Sequence, residues 1–278
     1  MLDKIENLIN ALEANQSISV IENGILENRR LLKYRDAEEN FEEVFDAVKI
    51  SVPKEDWKYE DLGSLCLDWD SSSGEPDERY LWGGFRLHTF SSALESSSYF
   101  WKSWNDDGRF WENNSQPEAE AIYKEFLPKL NYFHKSGHGD DGTFGCILRE
   151  EGVYPCPIYF YDSGVWFEMN SNLEAYYNAM IACKAVYCWQ YFYIDTQEIV
   201  TKLASFNPRY LEHGAYYFKG PRGGGSLDEY RDGTITSSAQ GVLLQMKNII
   251  KRFPKLFPDV DLTYFKEKCN ALEEALKQ

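Results

Sequence analysis

Five short aromatic-rich runs between residues 62 and 169 constrain the fold more than any other feature of the chain: LGSLCLDW, LWGGFRLHTF, TFGCILR, CPIYFYD and VWFEM. Each combines large or β-branched side chains with Gly, Asp, Ser or Pro at its ends, the composition of a strand that stops in a turn. They predict a sheet. YDSG (161–164) separates the last two runs, so Tyr159 to Met169 reads as a hairpin. DSSSGEPDE (70–78) and NDDGRFWENNSQPE (105–118) read as polar loops, with SSALESSSYFWKSW as a helix between them.

Helical periodicity flanks these runs. Ile5, Leu8, Ile9 and Leu12 recur at three- and four-residue spacing, and Phe41, Val44, Phe45 and Val48 repeat the pattern behind an acidic run. The first fifty residues therefore predict two helices joined through Gly24, and Pro53 closes the section. Ser171-Asn172-Leu173-Glu174 has capping-box spacing, which predicts a helix with a Tyr and Met stripe continuing to Cys188 over about five turns. Past Asp195, the stretch GPRGGGS (220–226) lacks the lysine and hydroxyl of a phosphate-binding loop and reads as a connection. Two helical segments, near 238–253 and 261–277, complete the chain.

FHKSGHGDDGTFGCIL (133–148) is the stretch richest in candidate chemistry. His134, His138, Asp140 and Asp141 have ligand-type side chains, but the glycines between them splay the set, so no metal is expected. Asp141-Gly142 followed by TFGCIL reads instead as a turn into a half-buried strand, and the loop also suits presentation to a partner. DWDSSSGE (68–75) begins like a calcium loop, yet Ser73 stands in the glycine position and Arg79 in that of the bidentate glutamate.

Charge narrows the functional classes. Twenty-nine basic and 45 acidic residues leave a formal charge of -16, which repels nucleic acid and anionic membranes and favours basic partners. The start MLDKIENLIN lacks the basic head and apolar run of a secretory signal, and no run approaches a membrane span. Six cysteines without C-x-x-C spacing predict reduced thiols and a cytoplasmic setting. No nucleophile elbow, zinc-helix or catalytic-cysteine motif is present, and no cofactor is implied. One enzyme reading remains open, because 8 Trp, 19 Tyr and many carboxylates suit a sugar cleft with paired acids. A regulatory adaptor is the other alternative.

The order of ISVPKEDW (50–57), CLDWDSSSG (66–74), GGFRLHTFSSALESS (83–97), HGDDGTFGCIL (138–148) and PIYFYDSGVWFEMNSNLEAYYNAMIA (157–182) resembles the SUKH superfamily over residues 1–195. That resemblance implies an α+β domain with a mixed, curved sheet flanked by helices, followed here by a mainly helical extension over 196–278. It also implies a non-enzymatic protein-binding scaffold, with many bacterial members acting as immunity proteins against polymorphic or contact-dependent toxins. The family brings no shared catalytic residues. For this chain the partner would be a cognate, basic toxin domain. Three acidic groups are expected to form the partner-binding face: Asp68, Trp69 and Asp70; Trp104, Asp106 and Asp107; and Asp140 with Asp141.

Overall fold

The computed structural model describes residues 1–23, 43–63, 65–71, 81–95, 126–136, 143–162, 165–204 and 237–277. Seven strands cross them in chain order: β1 (Ile18–Asn23), β2 (Cys66–Ser71), β3 (Trp82–Leu87), β4 (Leu130–Ser136), β5 (Thr143–Leu148), β6 (Ile158–Asp162) and β7 (Val165–Glu168). Each pairs with its sequence neighbour to give one open sheet. The expected α+β class is found, with the sheet antiparallel at every one of these pairings rather than mixed.

The strand alternation decides what each residue does. On β2, Leu67 and Trp69 enter the main core, while Cys66 and Asp70 are only half-buried on the opposite side. The strand predicted at TFGCIL is buried along its whole length rather than half-buried. Ile147 faces the main core, and Phe144, Cys146 and Leu148 join Leu130, Tyr161 and Trp166 in a second apolar cluster. Both sides of β5 are therefore covered.

Helix α1 (Leu2–Glu13) buries Ile5, Leu8, Ile9 and Leu12, as its spacing predicts. Between the two expected helices the chain adds an element not expected from the sequence, because residues 18–23 form edge strand β1 against β2. Residues 43–47 are helical and bury Phe45. A 3₁₀ segment, Lys54–Leu62, leads to β2, and the short helix α2 (Phe90–Glu95) follows β3. The remainder of that predicted helix lies outside the described residues.

Helix α3 (Leu173–Ala182) starts one residue later than the capping-box reading implies. Asn172, not Ser171, supplies the cap, accepting a hydrogen bond from the Ala175 amide. It also stops well short of Cys188. Lys184, Ala185 and Cys188 have positive φ, and the backbone turns off to meet β3. There the Gly84 amide donates to the Ala185 carbonyl at 2.9 Å, and the Tyr187 amide to the Trp82 carbonyl at 2.9 Å. These tertiary bonds replace further helical ones.

Gly83 makes this approach possible. A Cβ at that position would lie 2.4 Å from the Ala185 carbonyl oxygen and 2.7 Å from the Trp69 indole, whose Nε1 donates to the Lys184 carbonyl at 2.8 Å. Beyond α3 come a second 3₁₀ segment (Trp189–Tyr193), α4 (Thr196–Lys202), α5 (Ser238–Leu256) and α6 (Thr263–Ala275). The last two fall where the sequence predicts them. Ile249, Phe253, Phe265 and Leu272 share the main core with Trp69, and Phe257 meets the Trp69 ring edge-to-face at 6.0 Å. No described helix is long and apolar enough to cross a membrane. None of the six cysteines is bonded to another, and five are buried.

Gly83→Ala is expected to destabilise the fold by about 1–3 kcal/mol, the usual range for overpacking. Urea unfolding of the variant checks this, and an unchanged midpoint would contradict the close packing of β3 on residues 184–187.

Candidate functional site

Four chain segments meet around a cleft of about 230 Å³. The 3₁₀ segment brings Asp56 and Tyr59, α2 its first residue Phe90, the β5–β6 connection Tyr154 to Cys156, and the start of α3 Asn172 to Glu174. Its volume is that of a side chain or small head group, below the size of drug-binding pockets. Phe90 and Tyr154 form an edge-to-face pair at 6.3 Å in one wall, and Tyr59 packs on Tyr177 at 5.7 Å.

Two carboxylates give the cleft its polarity. The Tyr154 hydroxyl donates to Asp56 Oδ2 at 2.7 Å, which fixes that carboxylate while leaving Oδ1 available. Glu174 sits in the first turn of α3, where a negative charge complements the helix dipole. Lys58 reaches both, with Nζ 3.8 Å from Asp56 and 3.6 Å from Glu174. These are loose ion pairs beyond hydrogen-bonding range. Tyr59 is only 2 % exposed, yet its hydroxyl has no hydrogen-bond partner among the described residues. Burial, then Asp56 and Glu174, push its phenol far above the ordinary value, so it stays protonated beside the two acids. Burial also raises the Cys156 thiol to about 11, which keeps it un-ionised at neutral pH.

A charged group reaching this cleft meets two carboxylates, the neutral phenols of Tyr59 and Tyr154, and aromatic walls. The chemistry suits an organic cation.

The residues expected to form the partner face are distributed differently from the sequence reading. Asp68 and Trp69, inside the predicted LGSLCLDW strand, and Asp70, just past it, lie on strand β2. Period-two alternation turns Trp69 away from its two neighbours, and it is fully buried in the core. Asp68 is buried too, 3.8 Å from Arg86 of β3, and Arg86 also bonds Glu22 of β1 at 2.9 Å. Asp70 is half-buried. Trp69 and Asp68 are thus structural. Trp104, Asp106, Asp107, Asp140 and Asp141 lie outside the described residues, as does His138. The cleft residues carry no sequence signature, since tertiary packing alone joins residues 56–59 to 172–174.

His134 is a core residue of β4 and has no exposure. A bulge between Tyr132 and His134 interrupts the pairing with β5, and both Phe133 and His134 pack against Tyr176 of α3. The Tyr176 hydroxyl lies 2.5 Å from His134 Nδ1. Burial, and secondarily His88, push the imidazole from 6.5 down to about 3, so the ring is neutral and shares a single hydrogen bond with the phenol through Nδ1. Among the described residues no group of three or more His, Cys, Asp or Glu is arranged to hold a metal.

The neutral ring sets a pH dependence with a definite sign. Between the unfolded value of 6.5 and the folded value of about 3, the unfolded chain binds a proton that the folded one refuses. Stability is fully present above 6.5 and falls on acidification through that window, by up to about 1.4 kcal/mol per pH unit. His88, also lowered by burial and by Lys135, adds in the same direction. Urea midpoints measured from pH 7 to 4 should decline less steeply in His134→Gln than in the wild type. Parallel profiles would contradict the assignment.

Comparison of the chain with protein-family models, with curated proteins and with solved structures finds no match in any of the three.

Proposed function

We propose that the protein is a non-enzymatic binding scaffold of the SUKH kind, an immunity protein that neutralises a cognate basic toxin domain by direct contact in the bacterial cytoplasm. The observation that carries this reading is the acidic, aromatic-walled cleft, where Asp56 and Glu174 face a single lysine. It sits on a chain with a formal charge of -16. Long-range attraction speeds the encounter with a basic partner, and a desolvated anchor site holds the complex once formed. The resemblance in element order over residues 1–195 supports the same conclusion. Asp106, Asp107, Asp140 and Asp141 remain candidates for the steering surface, while Asp68 and Trp69 are withdrawn from it because they are buried.

Expression beside the toxin encoded next to this gene tests the proposal. Wild-type protein should restore growth, and the purified pair should associate more slowly as salt rises. Replacing Asp106, Asp107, Asp140 and Asp141 together by Lys should slow association by about tenfold or more without lowering thermal stability. Equal association rates would remove those four residues from the surface. Failure of the wild type both to bind and to rescue would contradict the immunity function for that pair.

A further inference from the structure

We propose that the cleft between the Lys54–Leu62 segment and the start of α3 is a socket for a guanidinium group, supplied by an arginine side chain of the bound partner, and that Lys58 is an internal cation displaced on binding. The source of the arginine rests on the proposed function. The socket itself rests on geometry.

Three observations converge on it. First, the two carboxylates approach Lys58 Nζ at 3.8 and 3.6 Å, too far for either to accept a hydrogen bond from it. A single ammonium is a compact charge with no fixed fork, whereas a guanidinium carries five N–H donors spread over a plane and can donate to both acids at once. Second, Tyr59 is buried, lines the cleft and has a hydroxyl without a partner among the described residues. Its oxygen is a neutral acceptor next to the two charged ones. The hydroxyl is not sealed from water, so a donor arriving there exchanges a water contact for a direct hydrogen bond to the phenol oxygen. Third, Phe90 and Tyr154 supply aromatic faces in the same cleft, and a planar cation stacks on such faces better than a hydrated ammonium does.

Displacement of Lys58 is inexpensive. Its side chain is 41 % exposed and that of Glu174 is 54 %, so the resident ion pair is screened by water, and its contact with the Tyr59 ring, 5.1 Å from the centroid, is one that a guanidinium can replace. Released, the lysine swings into solvent. The carboxylate of Asp56 stays in place because Tyr154 holds its other oxygen. A socket whose walls are preset and whose plug is loose loses little free energy on binding.

The test uses the full-length protein, ¹⁵N-labelled, titrated with N-acetyl-arginine amide, N-acetyl-lysine amide and free L-arginine. The arginine amide should shift the amides of residues 56–59, 154 and 172–174 with a Kd in the millimolar range, about tenfold tighter than the lysine amide. Lys58→Met should tighten binding several-fold, Asp56→Asn and Glu174→Gln should each weaken it about tenfold, and Tyr59→Phe should weaken it a few-fold. Thermal unfolding of each variant identifies any that fails to fold, and the arginine-to-lysine ratio in the wild type needs no variant at all. Tighter binding of free L-arginine than of the amide would overturn the protein source and identify a free guanidino compound as the ligand. Equal affinity for the arginine and lysine amides, or no shift in the cleft up to about 50 mM, would overturn the socket. Toxin binding without any arginine response leaves the proposed function standing and removes this inference. An arginine response without toxin binding does the reverse.

Discussion

The carboxylate of Glu60 is the interaction on which the candidate site depends. It is 3 % exposed and accepts hydrogen bonds from the Ser91 amide at 2.5 Å and from the Ser91 hydroxyl at 2.8 Å. A buried carboxyl group is tolerated only when its oxygens find donors, and Ser91 supplies two of them at the start of α2. Glu60 therefore ties the 3₁₀ segment to the first turn of α2. Thr89 caps the same turn by accepting from the Ser92 amide at 3.1 Å. Gly63 permits the approach, since a Cβ there would lie 2.0 Å from Thr89 Cγ2. With that joint fixed, Asp56, Lys58 and Tyr59 are held opposite Phe90 and the α3 terminus.

The sheet carries apolar packing on both of its faces. Its main core face carries Trp69, Phe85, Phe133, Phe160 and Phe167 beneath α3 and the C-terminal helices, and its other side holds the second apolar cluster around Phe144. The cleft opens at the margin of the main core, sharing Tyr59, Phe90, Cys156 and Leu173 with it, where the β5–β6 connection passes the 3₁₀ segment. Substitutions that empty the carboxylate pair leave the aromatic core intact. The helices at 238–275 belong to that core, because Phe253 and Phe265 share its cluster with Trp69 and Tyr176.

Periodicity was readable where one element decided its own burial. The TFGCIL strand, the IYFYD/VWFE hairpin and the two terminal helices each carry a full pattern, and each is found. Strand β1 is short and follows a strongly helical stretch, so ISVIEN gave too few residues to establish period two. Strand β4 hides behind its bulge, which puts Phe133 and His134 against the same helix. The end of α3 is set by bonds to Trp82 and Gly84, which nothing local in KAVYC announces. The same reasoning explains the misplaced acidic face. LGSLCLDW reads as a strand and is one, but the acidic face grouped Trp69 with Asp68 and Asp70, whereas period two sends Trp69 inward. No spacing rule links Asp56 to Glu174, and the cleft became visible only with the packing of four distant segments.

The central claim is that a basic protein partner is held at the Asp56–Glu174 cleft. The most direct measurement is amide chemical-shift mapping of the labelled protein on adding a purified basic toxin domain of the kind the proposed function calls for. The account predicts that the largest changes and slowest exchange fall on residues 54–60, 154–156 and 172–174, together with loss of the Lys58 ion pairs. A complex whose perturbations spare all three segments would contradict it.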